Sequence, residues 1–276
     1  MTQRIAYLGP RGTFSEAAVE ALFSGGFEGV ACRDPGAALA AVGREADFAL
    51  IPVENNTGGA VGHALELLDA TELAVKAEVA LHVEHALMGR TPPGRAVRVL
   101  AHPQALEQCR GFLERHPGLE RVPVSSNAEG ARRAAIEEGS LALGPAAAAA
   151  IYGLEVYEEG VQDSFGNATR FLLFGREDDA PSIPREPLFW KTTLVTTVDD
   201  RPGALWRMLE PFARLGLQMT RIESRPAGNG RFSYRFFIDV VGEAESDPLA
   251  GALSEMRSLA PGDGALRVFG SYPVFG

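Results

Sequence analysis

Lysine is almost missing. The chain of 276 residues has only Lys76 and Lys191, so arginine carries nearly all the positive charge. We read that as a codon-usage bias. With 26 basic against 36 acidic residues the net charge is −10. That argues against a nucleic-acid surface, because phosphate backbones call for a basic face. A small anionic ligand stays compatible, since helix N-termini and a few arginines make a site locally positive. Cysteine is equally scarce. Nothing in the spacing of Cys32 and Cys109 suggests a pair. No secretory signal precedes them, so a reducing cytoplasm is the expected location. No apolar run approaches the ~20 residues a membrane span needs, so no membrane association is expected. The five histidines, His63, His82, His85, His102 and His116, show no zinc-type spacing with the cysteines, and no metal is expected. His82 and His85 read as parts of one strand, facing opposite sides.

What is present is an ordinary soluble composition, 46% apolar and 22% charged, long enough for two domains. The stretch Gly160 to Phe174 stands out. Its apolar run Phe171–Phe174 reads as a buried strand. Just before it, Asn167, Thr169 and Arg170 bring an amide, a hydroxyl and a guanidinium together. A packed strand fixes where residues at its mouth point, which suits them for chemistry.

Upstream, residues 4–8 form a short apolar strand followed by a glycine-proline loop and a helix. Thr13 and Glu16 have capping-box spacing, and the helix N-terminus offers an anion site. The arrangement recurs at DFALIPVEN, where Glu54, Asn55, Asn56 and Thr57 lie at the strand's carboxyl end before a Gly58-Gly59 turn and a helix. In open α/β sheets ligands bind outside such ends. Residues 73–89 alternate with period two and read as a crossing between subdomains. The segments at 98–116, 122–139 and 140–154 each read as a strand leading to a helix. They place His102 and Gln104 at one strand end and Ser126 or Asn127 at a helix cap. The alternation indicates an α/β class with largely parallel sheets.

Residues 176–187 are charged, proline-rich and aperiodic, and read as a linker. After them the order is βαββαβ, the ferredoxin-like sandwich. Leu205, Met208, Leu209, Phe212 and Leu215 share one helix face, and Gly228-Asn229-Gly230 reads as a strand-joining turn. Open sheet edges there favour pairing with a second copy.

Taken together, GPRGTFSEAA, IPVENNTGG, HPQALEQC and QDSFGNATRF resemble the successive motifs of prephenate dehydratase. PGALW and IESRP resemble the two signature stretches of the ACT domain, an amino-acid-sensing module. The resemblance covers nearly the whole chain. It implies a bilobal dehydratase domain resembling periplasmic binding proteins at 1–178, with lobe one about 1–79 and 159–178 and lobe two about 80–158. A linker at 179–188 and an ACT domain at 189–276 would follow. Three departures from the family pattern stand out: Asn56 for a serine, Asn127 for a threonine, and Gly144-Pro145 within a usual alanine-isoleucine-alanine stretch.

The implied reaction converts prephenate to phenylpyruvate with loss of CO₂ and water, using no cofactor. By resemblance Thr169 donates the proton to the departing hydroxyl; a threonine hydroxyl is a poor acid by itself, so it needs either a relay or a neighbour such as Arg170 to stabilise the alkoxide-like state. Thr13, Ser15, Asn55, Thr57, Gln104, Ser126, Asn167 and Phe171 are the implied substrate residues. Each also has a local reading: capping for Thr13, Ser15 and Ser126, turn hydrogen bonds for Asn55 and Thr57, core packing for Phe171. Gly203, Ala204 and Leu205 with Glu223, Ser224, Arg225 and Pro226 are the implied L-phenylalanine site across a dimer interface. Arg225 or Glu223 would alternatively form a structural ion pair. A homodimer or homotetramer is expected. Arogenate dehydratase, and a non-catalytic amino-acid-sensing binding protein, are the alternatives.

Overall fold

Ile5, Ala6 and Tyr7 are fully buried because the strand they form is paired on both sides. In this computed structural model, which describes residues 2–61, 64–227, 234–262 and 264–276, β1 (Gln3–Leu8) leads into α1 (Phe14–Phe23). The Thr13 hydroxyl oxygen accepts the Glu16 N–H at 3.4 Å and donates to the Leu8 carbonyl at 3.0 Å. Glu16 reaches back one residue further than a capping box predicts, accepting the Gly12 N–H at 2.6 Å and the Tyr7 hydroxyl at 2.9 Å. Burial, and then this carboxylate, push the Tyr7 phenol up.

The chain continues through β2 (Phe27–Cys32), α2 (Pro35–Ala41, capped by Asp34), β3 (Phe48–Asn55), β4 (Gly59–Ala60), α3 (Ala64–Ala70) and β5 (Ala74–His82). Next come β6 (Ala86–Gly89), β7 (Arg98–Ala101), α4 (Pro103–Gln108), α5 (Arg110–Glu114) and β8 (Glu120–Pro123). After these follow α6 (Asn127–Ala134), β9 (Ser140–Gly144), α7 (Ala147–Tyr152), β10 (Glu155–Glu158) and β11 (Ala168–Gly175). The last elements are β12 (Phe189–Thr197), α8 (Ala204–Arg214), β13 (Met219–Pro226), β14 (Tyr234–Val241), α9 (Leu249–Leu259) and β15 (Leu266–Phe275).

They form two compact units. The first comprises Met1–Ala64, Ala80–Phe171 and Ser182–Pro184. It contains strands in the order β11-β3-β1-β2, with β11 counted as far as Phe171, and a second sheet in the order β10-β6-β9-β7-β8. The second sheet is buried on both faces. Alternate residues such as Val99, Leu141 and Leu143 pack against Phe112 and Leu113 of α5. Their neighbours Leu100 and Ala142 pack against alanines of α6 and α7. Small side chains let those helices approach closely.

Several local expectations are corrected. Residues 73–89 form two strands in different sheets, because Val83–His85 leave the strand conformation. The helix after His102 breaks at Cys109, whose φ of −110° is not helical, giving α4 and α5. The Gly58-Gly59 turn feeds the short β4, antiparallel to β3, before any helix. The sheets are mixed: β1 is parallel to β2 and β3, and β7 to β8 and β9, while β6 runs antiparallel to β9 and β10.

The second unit comprises Leu65–Val79, Leu172–Pro181 and Arg185–Gly276. Its strands lie in the order β13-β14-β12-β15, covered by α8 and α9 around Phe212, Ile238, Leu253 and Met256. This is the ferredoxin-like βαββαβ arrangement, and Met208 and Phe212 of the expected helix face are buried. One expected open edge is closed: β15 pairs in parallel with β5 at Val274 and Phe275. Behind that edge Lys191 Nζ lies 2.6 Å from Glu78 Oε1, both almost wholly buried. The turn expected at Gly228-Asn229-Gly230 lies outside the described residues, as does His63.

Candidate active site

The strand ends of the first unit surround a cavity of about 970 Å³. Among the described residues lining it there is no carboxylate, and Arg33 is the one formal cation. A cavity of neutral donors without acidic groups suits an anion.

At its floor lies an amide cluster. Asn55, the last residue of β3, is buried. Its Oδ1 accepts the N–H groups of Thr57 at 3.1 Å and Gly58 at 3.0 Å, and the Thr57 hydroxyl at 2.8 Å. Its Nδ2 donates to Asn167 Oδ1 at 2.8 Å, the Ala168 carbonyl at 3.3 Å and Thr169 Oγ1 at 3.0 Å. Donors on one side and acceptors on the other leave the amide one orientation. The Thr169 oxygen is thereby an acceptor towards Asn55, and its own proton points elsewhere.

Eight of the ten residues expected for the first domain line the cavity: Thr13, Ser15, Asn55, Gln104, Ser126, Asn167, Thr169 and Phe171. Phe171 is 1% exposed and forms part of the wall. Thr13 and Ser126 also cap α1 and α6, as their local reading has it. Thr57 and Arg170 are placed differently. Thr57 does not line the cavity; it shares its one hydroxyl proton between Asn55 Oδ1 and Asn167 Oδ1, both at 2.8 Å. Arg170 lies inside β11, so its side chain leaves on the face opposite Thr169 and Phe171. It is absent from the cavity wall and meets Glu54 Oε2 at 3.4 Å.

The sequence reading missed Phe14, His85, Gln108 and Arg33, all of which line the cavity. Gln108 stands one turn after Gln104, and that i, i+4 spacing was the available signal. His85 was hidden by the assumption of one unbroken strand. Cys32 also lines the cavity, and burial raises its thiol pKa. Cys109 is pushed up to about 12, chiefly by burial, so it is no thiolate nucleophile near neutral pH. The two cysteines are free. Among the described residues no helix is long and apolar enough to cross a membrane.

In the second unit a cavity of about 230 Å³ is lined by Gly203, Ala204 and Leu205 at the start of α8, and among others by Asp199, Asp200, Arg201, Tyr234 and Phe236. Gly203 sits at φ 75°, which favours glycine, and caps the helix. Glu223, Ser224, Arg225 and Pro226 lie on β13 and do not line this cavity. Glu223 is ion-paired with Arg221 at 2.5 Å and Arg225 at 2.6 Å, the structural pairing considered for it.

A bilobal α/β domain with a cavity free of carboxylates among its described lining residues, followed by a ferredoxin-like sandwich, defines a two-part α/β protein with a ligand-sized cavity in its first part. A family model for prephenate dehydratase matches residues 5–179, and one for the ACT domain matches residues 192–257. The chain belongs to the prephenate dehydratase family, a family of carbon–oxygen lyases, and carries an ACT domain. The bifunctional chorismate mutase/prephenate dehydratase of Stutzerimonas stutzeri is 39% identical over 278 residues, spanning 98% of this chain and 73% of that protein. The prephenate dehydratase of Mycolicibacterium vanbaalenii is 37% identical over 291 residues, 98% and 91% of the two chains. The solved prephenate dehydratase of Arthrobacter aurescens in complex with L-Phe superposes with a TM-score of 0.85 at 32% identity, covering 98% of this chain and 89% of that one. A structure described as GqqA, a novel type of quorum quenching acylase, gives 0.87 at 30% identity over 99% and 98%.

Proposed function

We propose that this chain is a prephenate dehydratase that forms phenylpyruvate and is inhibited by L-phenylalanine bound at its ACT domain. The observation that carries the catalytic part is the Asn55–Thr169 hydrogen bond in an acid-free cavity. Prephenate is a dianion with a ring hydroxyl. Its ring carboxylate leaves as CO₂, the bonding electrons move into the ring, and the hydroxyl leaves with one added proton as water. Aromatisation supplies the driving force, so the protein has to hold the dianion and deliver that proton.

Thr169 delivers it. A threonine hydroxyl is a weak acid alone, but its oxygen here receives the Asn55 amide proton, which stabilises the charge that develops as the hydroxyl proton moves. The amide takes the part expected of Arg170, whose side chain points away. The N–H groups opening α1, with Ser15, Gln104 and Ser126, supply donors for the carboxylates. General-acid assistance of this kind is worth ~10²–10⁴-fold, roughly 3–5 kcal/mol.

The regulatory part rests on the ACT domain and on the cavity at the α8 N-terminus, where an amino-acid carboxylate would be received. The L-Phe complex of the Arthrobacter relative supports the choice of effector. Completion of that site by Glu223 to Pro226 from a second copy fits a homodimer or a homotetramer. The acylase activity in the description of the GqqA structure is said of that protein, and no observation on this chain favours carrying it over.

The test is phenylpyruvate formation from prephenate by the purified protein, with and without L-phenylalanine, beside Thr169→Ala. We expect turnover, suppression by L-phenylalanine, and a kcat at least ~10²-fold lower in the variant with little change in KM. Turnover on arogenate but not prephenate would reassign the substrate. A variant with normal kcat would remove Thr169 from the chemistry.

A further inference from the structure

The peptide group that joins Arg11 to Gly12 is held at both ends. Its N–H donates to Glu16 Oε2 at 2.6 Å, and its carbonyl oxygen accepts the Tyr152 hydroxyl at 2.7 Å. The two holds come from different layers of the first unit. Glu16 lies in the first turn of α1, which packs on β1, β2 and β3. Tyr152 ends α7, and its ring packs against the core that Met88, Ala142 and Ala148 form at the second sheet. Burial raises the Tyr152 pKa, so the phenol stays a donor.

The loop held in this way has open space on both sides. Gly9, Pro10 and Thr13 line the main cavity. Arg11, Gly12 and Thr13 line a second cavity of about 520 Å³, together with Ala147 and Ile151 of α7. A segment between two cavities has few packing neighbours, so its hydrogen bonds decide where it sits. Gly12 has φ 82°, and a Cβ added there would stand 3.0 Å from the Tyr152 ring and 3.2 Å from the Ala148 Cβ. The missing side chain lets the phenol come close enough to reach the carbonyl one residue earlier. A flipped Arg11–Gly12 peptide would lose both hydrogen bonds and turn its carbonyl toward the Glu16 carboxylate. The residues that follow face the ligand space. Thr13 caps α1, and Thr13, Phe14 and Ser15 all line the main cavity where the helix opens.

We propose that Tyr152 is a positioning residue for the substrate site: by holding the Arg11 carbonyl it fixes the Arg11–Gly12 peptide, and with it the direction in which Thr13, Ser15 and the first N–H groups of α1 meet the ligand. The ligand rests on the prephenate reading, in which these donors receive a carboxylate. Tyr152 does not line the main cavity, so it acts through the loop. Its effect falls on how tightly the dianion is held, because the proton donor Thr169 stands on β11 and does not move with this loop.

The test compares Tyr152→Phe with the wild type in the full chain. Phenylalanine keeps the ring against Ala148 and removes the hydroxyl alone. Hydrogen exchange followed by nuclear magnetic resonance reads the loop itself, without any ligand. The Gly12 N–H should exchange roughly 2- to 10-fold faster in the variant, while the amides of Leu141 and Ala142 in the second sheet keep their protection. Steady-state kinetics read the site. KM for prephenate should rise by a similar factor, roughly 2- to 10-fold, with kcat changed less than about 3-fold. A tyrosine that only stabilised the fold would lower the urea midpoint and leave both of these readings of the folded protein unmoved. Equal Gly12 exchange in the two proteins, or a wild-type KM in the variant of an active enzyme, would overturn the proposal. A wild-type protein inert toward prephenate would instead fail the functional reading, and the exchange rates would still decide whether Tyr152 holds the loop.

Discussion

Asn55 makes six hydrogen bonds, three through its oxygen and three through its nitrogen. Such a side chain is a sensor of its own chemistry, because replacing the nitrogen by oxygen reverses half of the network. Asn55→Asp keeps the shape and satisfies Thr57 and Gly58. It sets a carboxylate oxygen against Asn167 Oδ1 and the Ala168 carbonyl, acceptors facing an acceptor, and it draws the Thr169 hydroxyl proton onto the new carboxylate. We expect kcat to fall at least ~10²-fold, because Thr169 loses the donor that stabilises its oxygen. KM should rise as well, since the new charge faces a dianion. Steady-state kinetics on prephenate decide it: a kcat within about 3-fold of wild type would show that Thr169 works without this amide. The departures from the family pattern are coherent at the same scale. Asn56 donates to the Gly166 carbonyl at 2.6 Å and accepts the Ala168 N–H at 2.9 Å, a two-way clasp that one amide supplies in place. Asn127 Oδ1 accepts the His102 N–H at 2.8 Å. A Cβ added at Gly144 would stand 3.2 Å from the Asn127 Cβ, which any side chain at 127 other than glycine would share.

Among the elements, α6 shows how packing places a functional side chain. Ser126 caps it and Asn127 opens it, and both line the cavity. The helix lies so close to β7 that a Cβ at Gly130 would meet the Leu100 carbonyl oxygen at 2.7 Å. Gly130→Ala must push the helix off the sheet. Overpacking of this kind costs about 1–3 kcal/mol, which outweighs alanine's better helix propensity of ~1 kcal/mol. The urea midpoint should fall, and prephenate KM should rise as Ser126 and Asn127 move outward. An unchanged midpoint would show that the helix shifts freely and that its closeness has no structural weight. Elements like this one were legible in the sequence, because an N-cap serine, alanine-rich faces and strand periodicity all act locally. What was not legible depended on which way a side chain leaves its element. Adjacency in sequence suggests Thr169 and Arg170 as partners, but strand alternation sends neighbours to opposite faces. Thr57 was read as a ligand contact because its role, holding two amides, exists only once β3 and β11 lie side by side. His85 was assigned to a strand that ends before it. Its place in the cavity wall is set by Phe14, Gln108 and Gln162, which are distant in sequence and which no local pattern announces.

On the scale of the whole molecule, a catalytic cavity and a sensing domain on one chain raise the question of what L-phenylalanine would change. The answer can be reached without geometry, because binding at two sites of one molecule closes a thermodynamic cycle. If saturating L-phenylalanine weakens prephenate binding by some factor, saturating prephenate must weaken L-phenylalanine binding by the same factor. A tenfold effect is about 1.4 kcal/mol of coupling, within the usual range for such sites. The reciprocity holds for binding and not for kcat, so it separates two kinds of inhibition. We expect coupling through affinity, since on the proposed reading the dianion is held by several separate neutral donors and no single one dominates. Thr169→Ala makes the experiment possible, because prephenate then persists long enough for equilibrium titration. Calorimetric titration of that variant with L-phenylalanine, alone and in saturating prephenate, should give dissociation constants differing by the factor seen in the reverse titration. Equal constants, in a wild-type enzyme that L-phenylalanine inhibits, would place the effect on the chemical step instead. The effector would then be acting on the Asn55–Thr169 contact and not on the grip of the cavity.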